Sequence, residues 1–341
     1  MRMPSLEDLP VPPKGRSGWP WTEAPPSVEW PDAPKVCVVV PSYNQVEWLE
    51  CALRSILLQG YPALECHVMD GGSTDGSLEI IEKYAPWLDH CQSQSDEGQC
   101  AVVNSVLMKS DADLGTWMNS DDYFAPGGIA ILVQLRERKP GHILWCGSAR
   151  EIDVEDREIR IYEPRMGATE QLARWYNEFG FHQPASVFDI RVFQQLGGLD
   201  ESLKCCLDVE LWLRMSRVGT FASCTDLICT VRNNPRSKTF TMMDLQAVEM
   251  IAVYHRMGLE DAARWRLDRF AEWVQTDTVN HIVERVKPDD VLSQYRYYSL
   301  LLNLRRRVLT RLGLDNGGRR NSAPSSGITN AFRRVRKVAT K

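Results

Sequence analysis

The chain has 341 residues, 43% of them hydrophobic, which is enough to bury a full core and predicts one large domain with an appendage. A net charge of −5 leaves no global electrostatic footprint for nucleic acid, so no nucleic-acid partner is expected. No apolar run approaches the ~18 residues of a membrane-spanning helix, the N-terminus lacks the apolar core of a secretory signal, and the ten cysteines form no CxxC pair; together these predict a cytoplasmic protein with buried thiols.

Residues 1–34 carry nine of the nineteen prolines and cannot form a helix or a central strand. Trp19, Trp21 and Trp30 give this arm more apolar surface than a free linker carries, so it is expected to lie against its own domain. The β-branched run 36–40 then predicts a strand buried on both faces. Leu49, Leu53, Ile56 and Leu57 recur at helical spacing, Gly60-Tyr61-Pro62 ends that helix, and 64–69 reads as a second strand, making a βαβ unit. The turn 70–76 offers Ser73 to Asp75 as caps for a helix running through Tyr84. A weaker strand between Trp87 and Gln92, a helix over 99–109 and a strand ending at Met118 continue the alternation. Strands alternating with helices predict an α/β fold with a parallel sheet covered on both faces.

In such sheets ligands bind beyond the carboxyl ends of the strands, where the βα loops converge. Asn44, Asp70 and Asp121 all fall just after predicted strands. The most pointed of these loops follows Thr116-Trp117-Met118, where an apolar strand runs into Asn119-Ser120-Asp121-Asp122. Two adjacent acids are costly to bury unpaired and repel each other. A hard divalent cation, Mg²⁺ or Mn²⁺, resolves both problems, because such ions are held by one or two carboxylates together with substrate phosphates. The bland alternative is an acidic turn ahead of the helix that Pro126 opens.

Five segments, in this order, resemble the family 2 glycosyltransferases: Val40-Pro41-Ser42-Tyr43-Asn44, Met69-Asp70-Gly71-Gly72-Ser73-Thr74-Asp75-Gly76-Ser77, Asp96-Glu97-Gly98-Gln99, Asn119-Ser120-Asp121-Asp122, and Gly197-Gly198-Leu199-Asp200-Glu201 through Asp208-Val209-Glu210-Leu211-Trp212-Leu213-Arg214. Each is weak alone, and the set covers roughly residues 35–240. The resemblance implies a GT-A fold, a Rossmann-like mixed sheet flanked by helices. It also implies a nucleotide-sugar donor (UDP-, GDP- or dTDP-sugar), Mg²⁺ or Mn²⁺, inversion at the anomeric carbon, and a glycan or lipid-linked acceptor.

Carried over by position, Pro41, Tyr43, Asn44 and Asp70 resemble the loops that line the nucleotide, while Gln99, Asn104, Asn119 and Ser120 resemble donor-lining residues. Many members have a second acid where this chain has Gly71. Asp121 and Asp122 match the family's metal position, with Asp121 also toward the donor; Asn119 stands where the strict DxD form has an acid, and keeps hydrogen-bonding capacity without the charge. Asp208 matches the catalytic base, and Gln183 and Trp212 match the acceptor side. His182 is the competing candidate for the base. Asn234 takes the place of a His often seen in the family, leaving Arg236 or Lys238 to meet diphosphate.

The resulting plan is an arm over 1–34, a catalytic domain over 35–240 divided at 125 into nucleotide-binding and acceptor halves, a helical extension over 241–314, and a basic, disordered tail over 315–341. The helix carrying Asp208 is expected to bury Leu211, Met215 and Val218. Neither the QxxRW motif nor the membrane helices of the family's processive branch are present, which points to transfer of a single sugar. Beyond Leu304, eleven Arg and Lys residues face only Asp315, a cluster that predicts peripheral contact with anionic membrane at about 1 kcal/mol per near-surface charge. A catalytically silent nucleotide-sugar-binding or scaffold protein of the same fold stays open as the alternative. A nucleotidyltransferase is disfavoured, because Pro41-Ser42-Tyr43-Asn44 is not a Gly-rich, Arg/Lys-bearing loop.

Overall fold

A computed structural model describes residues 4–23, 29–95, 98–174 and 180–270. The expected helical extension beyond residue 270 and the basic tail lie outside them. The chain falls into two compact units, Met1–Glu249 and a second from Met250 onward.

The first unit opens with the predicted alternation: β1 (Val36–Ser42), α1 (Leu49–Leu57), β2 (Leu64–Asp70), α2 (Ser77–Tyr84), β3 (His90–Ser93), α3 (Gln99–Leu107) and β4 (Leu114–Trp117). It continues through β5 (Tyr123–Phe124), α4 (Gly128–Arg138), β6 (Leu144–Ile152), β7 (Glu158–Tyr162), α5 (Thr169–Leu172), β8 (Ser186–Asp189), α6 (Ile190–Gln195), α7 (Leu207–Ser216), β9 (Phe221–Arg232) and α8 (Lys238–Thr241). Helix α9 (Met243–Arg256) follows, and residues 260–270 are helical again.

One sheet runs β3-β2-β1-β4-β8-β6-β9-β5, with β7 paired to β6. Its first four strands are parallel, as the βαβ pattern requires. Strand β8 enters antiparallel between β4 and β6, so the sheet is mixed rather than wholly parallel. The sheet changes direction just where β4 delivers Asn119 to Asp122, and the loops leaving that junction have room to form a cleft.

Two apolar layers hold the sheet. On one face Val36, Val38, Val40, Leu64, Cys66 and Val68 pack with Leu53 and Ile56 of α1 and with Leu132 and Val133 of α4. Elsewhere Trp117 of β4 stacks on Trp212 of α7, with ring centroids 5.8 Å apart and planes at 14°, and Phe188 and Phe181 fill in around Trp212. This stack ties the strand leading to Asp121 to the helix that begins at Asp208. Leu211 and Met215 of α7 are buried as expected, whereas Val218 lies past the helix end and is 60% exposed.

The proline-rich arm is held by packing and by Arg54. Leu6, Leu9, Trp19 and Trp30 lie against the core, and Trp19 Nε1 donates to the Phe124 carbonyl at 2.8 Å. The fully buried Arg54 guanidinium donates to the carbonyls of Pro10, Pro20 and Trp21 at 2.8, 3.0 and 3.1 Å. An arm rich in proline has unpaired carbonyls and few N–H groups, so a planar five-donor side chain is well suited to collect them.

Candidate active site

A cleft of about 460 Å³ opens at the carboxyl end of β1 and β4. Pro41, Ser42, Tyr43 and Gln45 form one part of its wall, and Gly98 and Gln99 at the start of α3 another. Trp117, Asn119, Ser120 and Asp121 supply the floor from β4, and Gln183 adjoins them. Lys204, Cys205, Leu207 and Asp208 approach on the loop into α7, and Arg236, Ser237, Lys238, Thr239 and Gln246 close the remaining side. Asp121 and Asp208, 87 positions apart in the chain, thus share one cavity.

The two neighbouring acids do different work. Asp121 lines the cleft and takes one side-chain hydrogen bond, from Asn234 Nδ2 at 3.2 Å. Asp122 is absent from the wall. Its Oδ1 accepts the Arg232 backbone N–H at 2.9 Å and its Oδ2 accepts from Asn119 Nδ2 at 3.2 Å, and only 3% of the residue is exposed. The metal role expected for Asp122 is therefore corrected: its carboxylate is a buried strut between β9 and the β4 loop. Burial raises the pKa of both acids, and for Asp122 the neighbouring Asp121 charge pushes it further up. Two such carboxylates do not both stay charged without a cation beside them.

Asp121 alone fits a divalent ion that takes one protein carboxylate and completes its shell with diphosphate oxygens and water. Asn234, at the position of the family's frequent His, has its Oδ1 taken by the Arg236 N–H at 2.9 Å and offers its amide to Asp121 instead. Asn119 and Gln99 meet directly, with Nε2 donating to Oδ1 at 2.9 Å, so the two donor-lining candidates set each other's orientation.

Asp208 sits in the first turn of α7, and its Oδ1 accepts the Val209 N–H at 2.8 Å. Its depth in the cleft raises its pKa, through desolvation of the carboxylate. His182 is occupied elsewhere: its Nε2 lies 2.9 Å from Glu151 Oε1, which Arg160 also meets at 2.8 Å. Burial works against the Glu151 charge, but the His182 and Arg160 hydrogen bonds outweigh it and bring its pKa to about 2.

Several expected contacts resolve into scaffold. Trp212 is fully buried in the aromatic stack and touches no cleft, so its acceptor role is corrected to one of setting α7 against β4. Asn104 is likewise withdrawn from the donor side: its Oδ1 accepts the Leu199 N–H at 2.8 Å while its Nδ2 donates to the Leu199 carbonyl at 3.0 Å and Glu201 at 2.9 Å. Gly198, at φ +76°, is where the chain passes Asn104, and any Cβ there would collide with that amide.

Asp70 is 2% exposed and spends its carboxylate on the N–H groups of Gly72 and Ser73 and the hydroxyls of Ser73 and Ser93, which fixes the turn after β2. Asn44, at φ 52°, accepts the Thr74 N–H and joins the β1 loop to that same turn. Neither lines the cleft. Gln183 does, with Nε2 donating to the Trp117 carbonyl at 2.7 Å and its buried Oε1 left without a partner among the described residues.

Two contributions had no signal in the sequence. Lys204 adds a cation from the loop before α7. Glu249 on α9, beyond the expected domain end at 240, gathers the N–H groups of Lys204, Cys205 and Cys206 at 2.9, 2.8 and 3.1 Å and so holds the loop that presents Asp208.

Residues 37–197 match the family model "Glycosyl transferase family 2". An uncharacterized glycosyltransferase of Rickettsia prowazekii is 24% identical over 196 residues, which are 55% of this chain and 60% of that protein. A chondroitin synthase of Escherichia coli is 26% identical over 195 residues, only 27% of its length. The match therefore spans less than two thirds of either relative. Among solved structures, the mannosyltransferase PcManGT from Pyrobaculum calidifontis in complex with GDP-Man and Mn²⁺ aligns with a TM-score of 0.53 at 18% identity, covering 86% of this chain and 87% of that one. S. aureus TarS 1-349 in complex with UDP-GlcNAc aligns at 0.53 and 15% identity, over 75% and 77% of the two chains. These likenesses show the GT-A fold. The matched segment starts within β1 and takes in the loops of Asp70, Gln99 and Asp121, and over these residues the chain is similar to glycosyl transferase family 2.

Proposed function

We propose that the protein is a metal-dependent, inverting glycosyltransferase that moves one sugar from a nucleotide-sugar donor to a glycan or lipid-linked acceptor. The observation that carries this reading is the meeting of Asp121 and Asp208 in one cleft walled by Lys204, Arg236 and Lys238. The complexes of the two solved relatives, one with UDP-GlcNAc and one with GDP-Man and Mn²⁺, support a nucleotide-sugar donor and a divalent ion.

Asp121 would hold Mg²⁺ or Mn²⁺ against the donor diphosphate, and the bound ion supplies Lewis-acid stabilisation of the leaving group. Arg236 and Lys238 add charge-assisted hydrogen bonds to the same phosphates. Asp208 accepts the proton of the acceptor hydroxyl as its oxygen bonds to the anomeric carbon and the bond to diphosphate breaks on the opposite face, inverting that carbon. Its raised pKa makes it a stronger base than an ordinary aspartate, and transfer is expected to rise with pH as this group loses its proton. Gln183 Oε1, buried and without a partner among the described residues, supports a hydrogen bond from a sugar hydroxyl to this side chain.

Asp208→Asn tests the assignment, because it keeps the shape and removes the basic oxygen. Transfer is expected to fall by ~10²-fold or more while calorimetry shows donor affinity near wild type. Unchanged turnover would reject the role and direct attention to His182.

The basic residues beyond Leu304 support peripheral contact with anionic lipid at the cytoplasmic face, and no described helix is long and apolar enough to cross a membrane. Truncation after Leu304 is expected to abolish salt-sensitive co-sedimentation with anionic vesicles, and unchanged binding would remove that contact from the proposal.

A further inference from the structure

Toward the opposite end of β1 and β2 from the cleft lies a second cluster of chemically active side chains. The parallel register pairs Cys37 with Glu65 and Val39 with His67. Since side chains alternate along a strand, Cys37, Glu65 and His67 share one face of the sheet. A ligand atom of each, Sγ, a carboxylate oxygen and an imidazole nitrogen, lies within 4.8 Å of the other two. The adjoining groove, about 650 Å³, is lined by Glu65, His67, His90, Ser110 and Asp111, and gives solvent a way in.

The local bonding leaves these atoms facing one another. His67 Nε2 is buried, has no hydrogen-bond partner among the described residues, and lies 3.9 Å from Glu65 Oε2. That is too long for a hydrogen bond. Glu65 Oε1 is held by Lys35 Nζ at 2.7 Å, which leaves Oε2 on the His67 side. Lys35 also pairs with Asp111 at 2.6 Å, so its positive charge is already shared between two carboxylates. Cys37 has no exposed surface, and beside its sulfur stand the Ser110 hydroxyl and the His67 imidazole.

We propose that Cys37, Glu65 and His67 bind one Zn²⁺ ion, at a site separate from the cleft. Thiolate and imidazole favour zinc over the hard Mg²⁺ or Mn²⁺ suited to Asp121. On binding, the Cys37 S–H bond breaks, its proton leaves to solvent and a sulfur–zinc bond forms, with no change of oxidation state. Zinc takes sulfur at ~2.3 Å and nitrogen or oxygen at ~2.0–2.2 Å in a tetrahedral shell, so the three side chains close in slightly around the ion. The fourth position is filled by water or by His90, whose ring lies 6.3 Å from that of His67. The bound ion clamps β1 to β2 beneath the nucleotide-binding half and withdraws the Cys37 thiol from oxidation.

The test uses the full chain, stripped with chelator under reducing conditions and titrated with Co²⁺ as an optical probe. One equivalent is expected to give a thiolate-to-cobalt charge-transfer band with the d–d bands of tetrahedral geometry, and Zn²⁺ is expected to displace them and raise Tm. Cys37→Ser and His67→Asn each lose the band, with affinity weakened by roughly 10-fold or more, at least the loss that second-shell changes cause. Cys51→Ser retains it. If Cys37→Ser does not fold, Glu65→Gln gives the answer by weakening binding without removing the thiol. A band that survives in Cys37→Ser, or affinity unchanged in Glu65→Gln and His67→Asn, overturns the site.

Discussion

Asp121 opens on the cleft, whereas the Asp122 carboxylate is shut between the Arg232 backbone and Asn119, so their substitution has different consequences. Asp121→Asn is expected to abolish the Mn²⁺ dependence of nucleoside diphosphate binding in calorimetry. Asp122→Asn leaves that dependence in place and lowers stability by about 1 kcal/mol, because its new amide faces the Asn119 amide and one hydrogen bond is lost. Loss of metal-dependent binding in Asp122→Asn alone would return the metal to that residue. Glu151 gives a pH signature. Its folded pKa of about 2 lies below the ordinary 4.5, so its contribution is complete above pH 4.5 and fades as pH falls toward 2. Glu151→Gln should therefore lower Tm at pH 7, with the deficit shrinking across that acidic window; a pH-independent deficit would mean that packing, not the His182 and Arg160 bonds, is what the substitution removes.

At the level of elements, the spacing of Asp121 and Asp208 depends on how α7 seats against β4 and on what holds the loop before α7. Trp212 does this through its stack on Trp117, and Glu249 through three N–H groups of the loop before Asp208. Glu249→Gln keeps the side-chain shape but weakens charge-assisted bonds, and is expected to reduce kcat with little change in donor affinity; the split between kcat and KM measures it. Strand β9 sets the other wall by bringing Arg232 to Asp122. Helix α4 crosses it at Gly128, where an added Cβ would stand 2.5 Å from the Ile228 carbonyl oxygen. Since that neighbour is backbone, Gly128→Ala is expected to cost about 1–3 kcal/mol in denaturant unfolding, the usual scale of overpacking. These pairings were partly legible. The period of Leu49, Leu53, Ile56 and Leu57 announced α1. The antiparallel insertion of β8 was not legible, because a short apolar run reads the same in either direction.

Across the whole molecule, Arg54 is a buried polar anchor between the arm and the rest of its unit. Arg54→Met removes the donors to the Pro10, Pro20 and Trp21 carbonyls and is expected to cost about 3 kcal/mol, while exposing residues 1–34 to limited proteolysis. An arm still protected in that variant would place its attachment in the tryptophans alone. The sequence by itself determined the alternating elements, the rim of polar loops and the resemblance to the family, because hydrophobic period and turn chemistry are local properties and the motifs keep their order along the chain. It also singled out Asp121 and Asp208 by resemblance. Only the tertiary structure decided which residues reach the cleft. Asp122, Asn104 and Trp212 turn inward, since each buried polar group must find its partner and each large ring its packing, while Lys204 enters from between the two halves of the fifth motif and Gln246 from beyond the expected domain end. Those choices depend on contacts between residues far apart in the chain, and no local pattern encodes them.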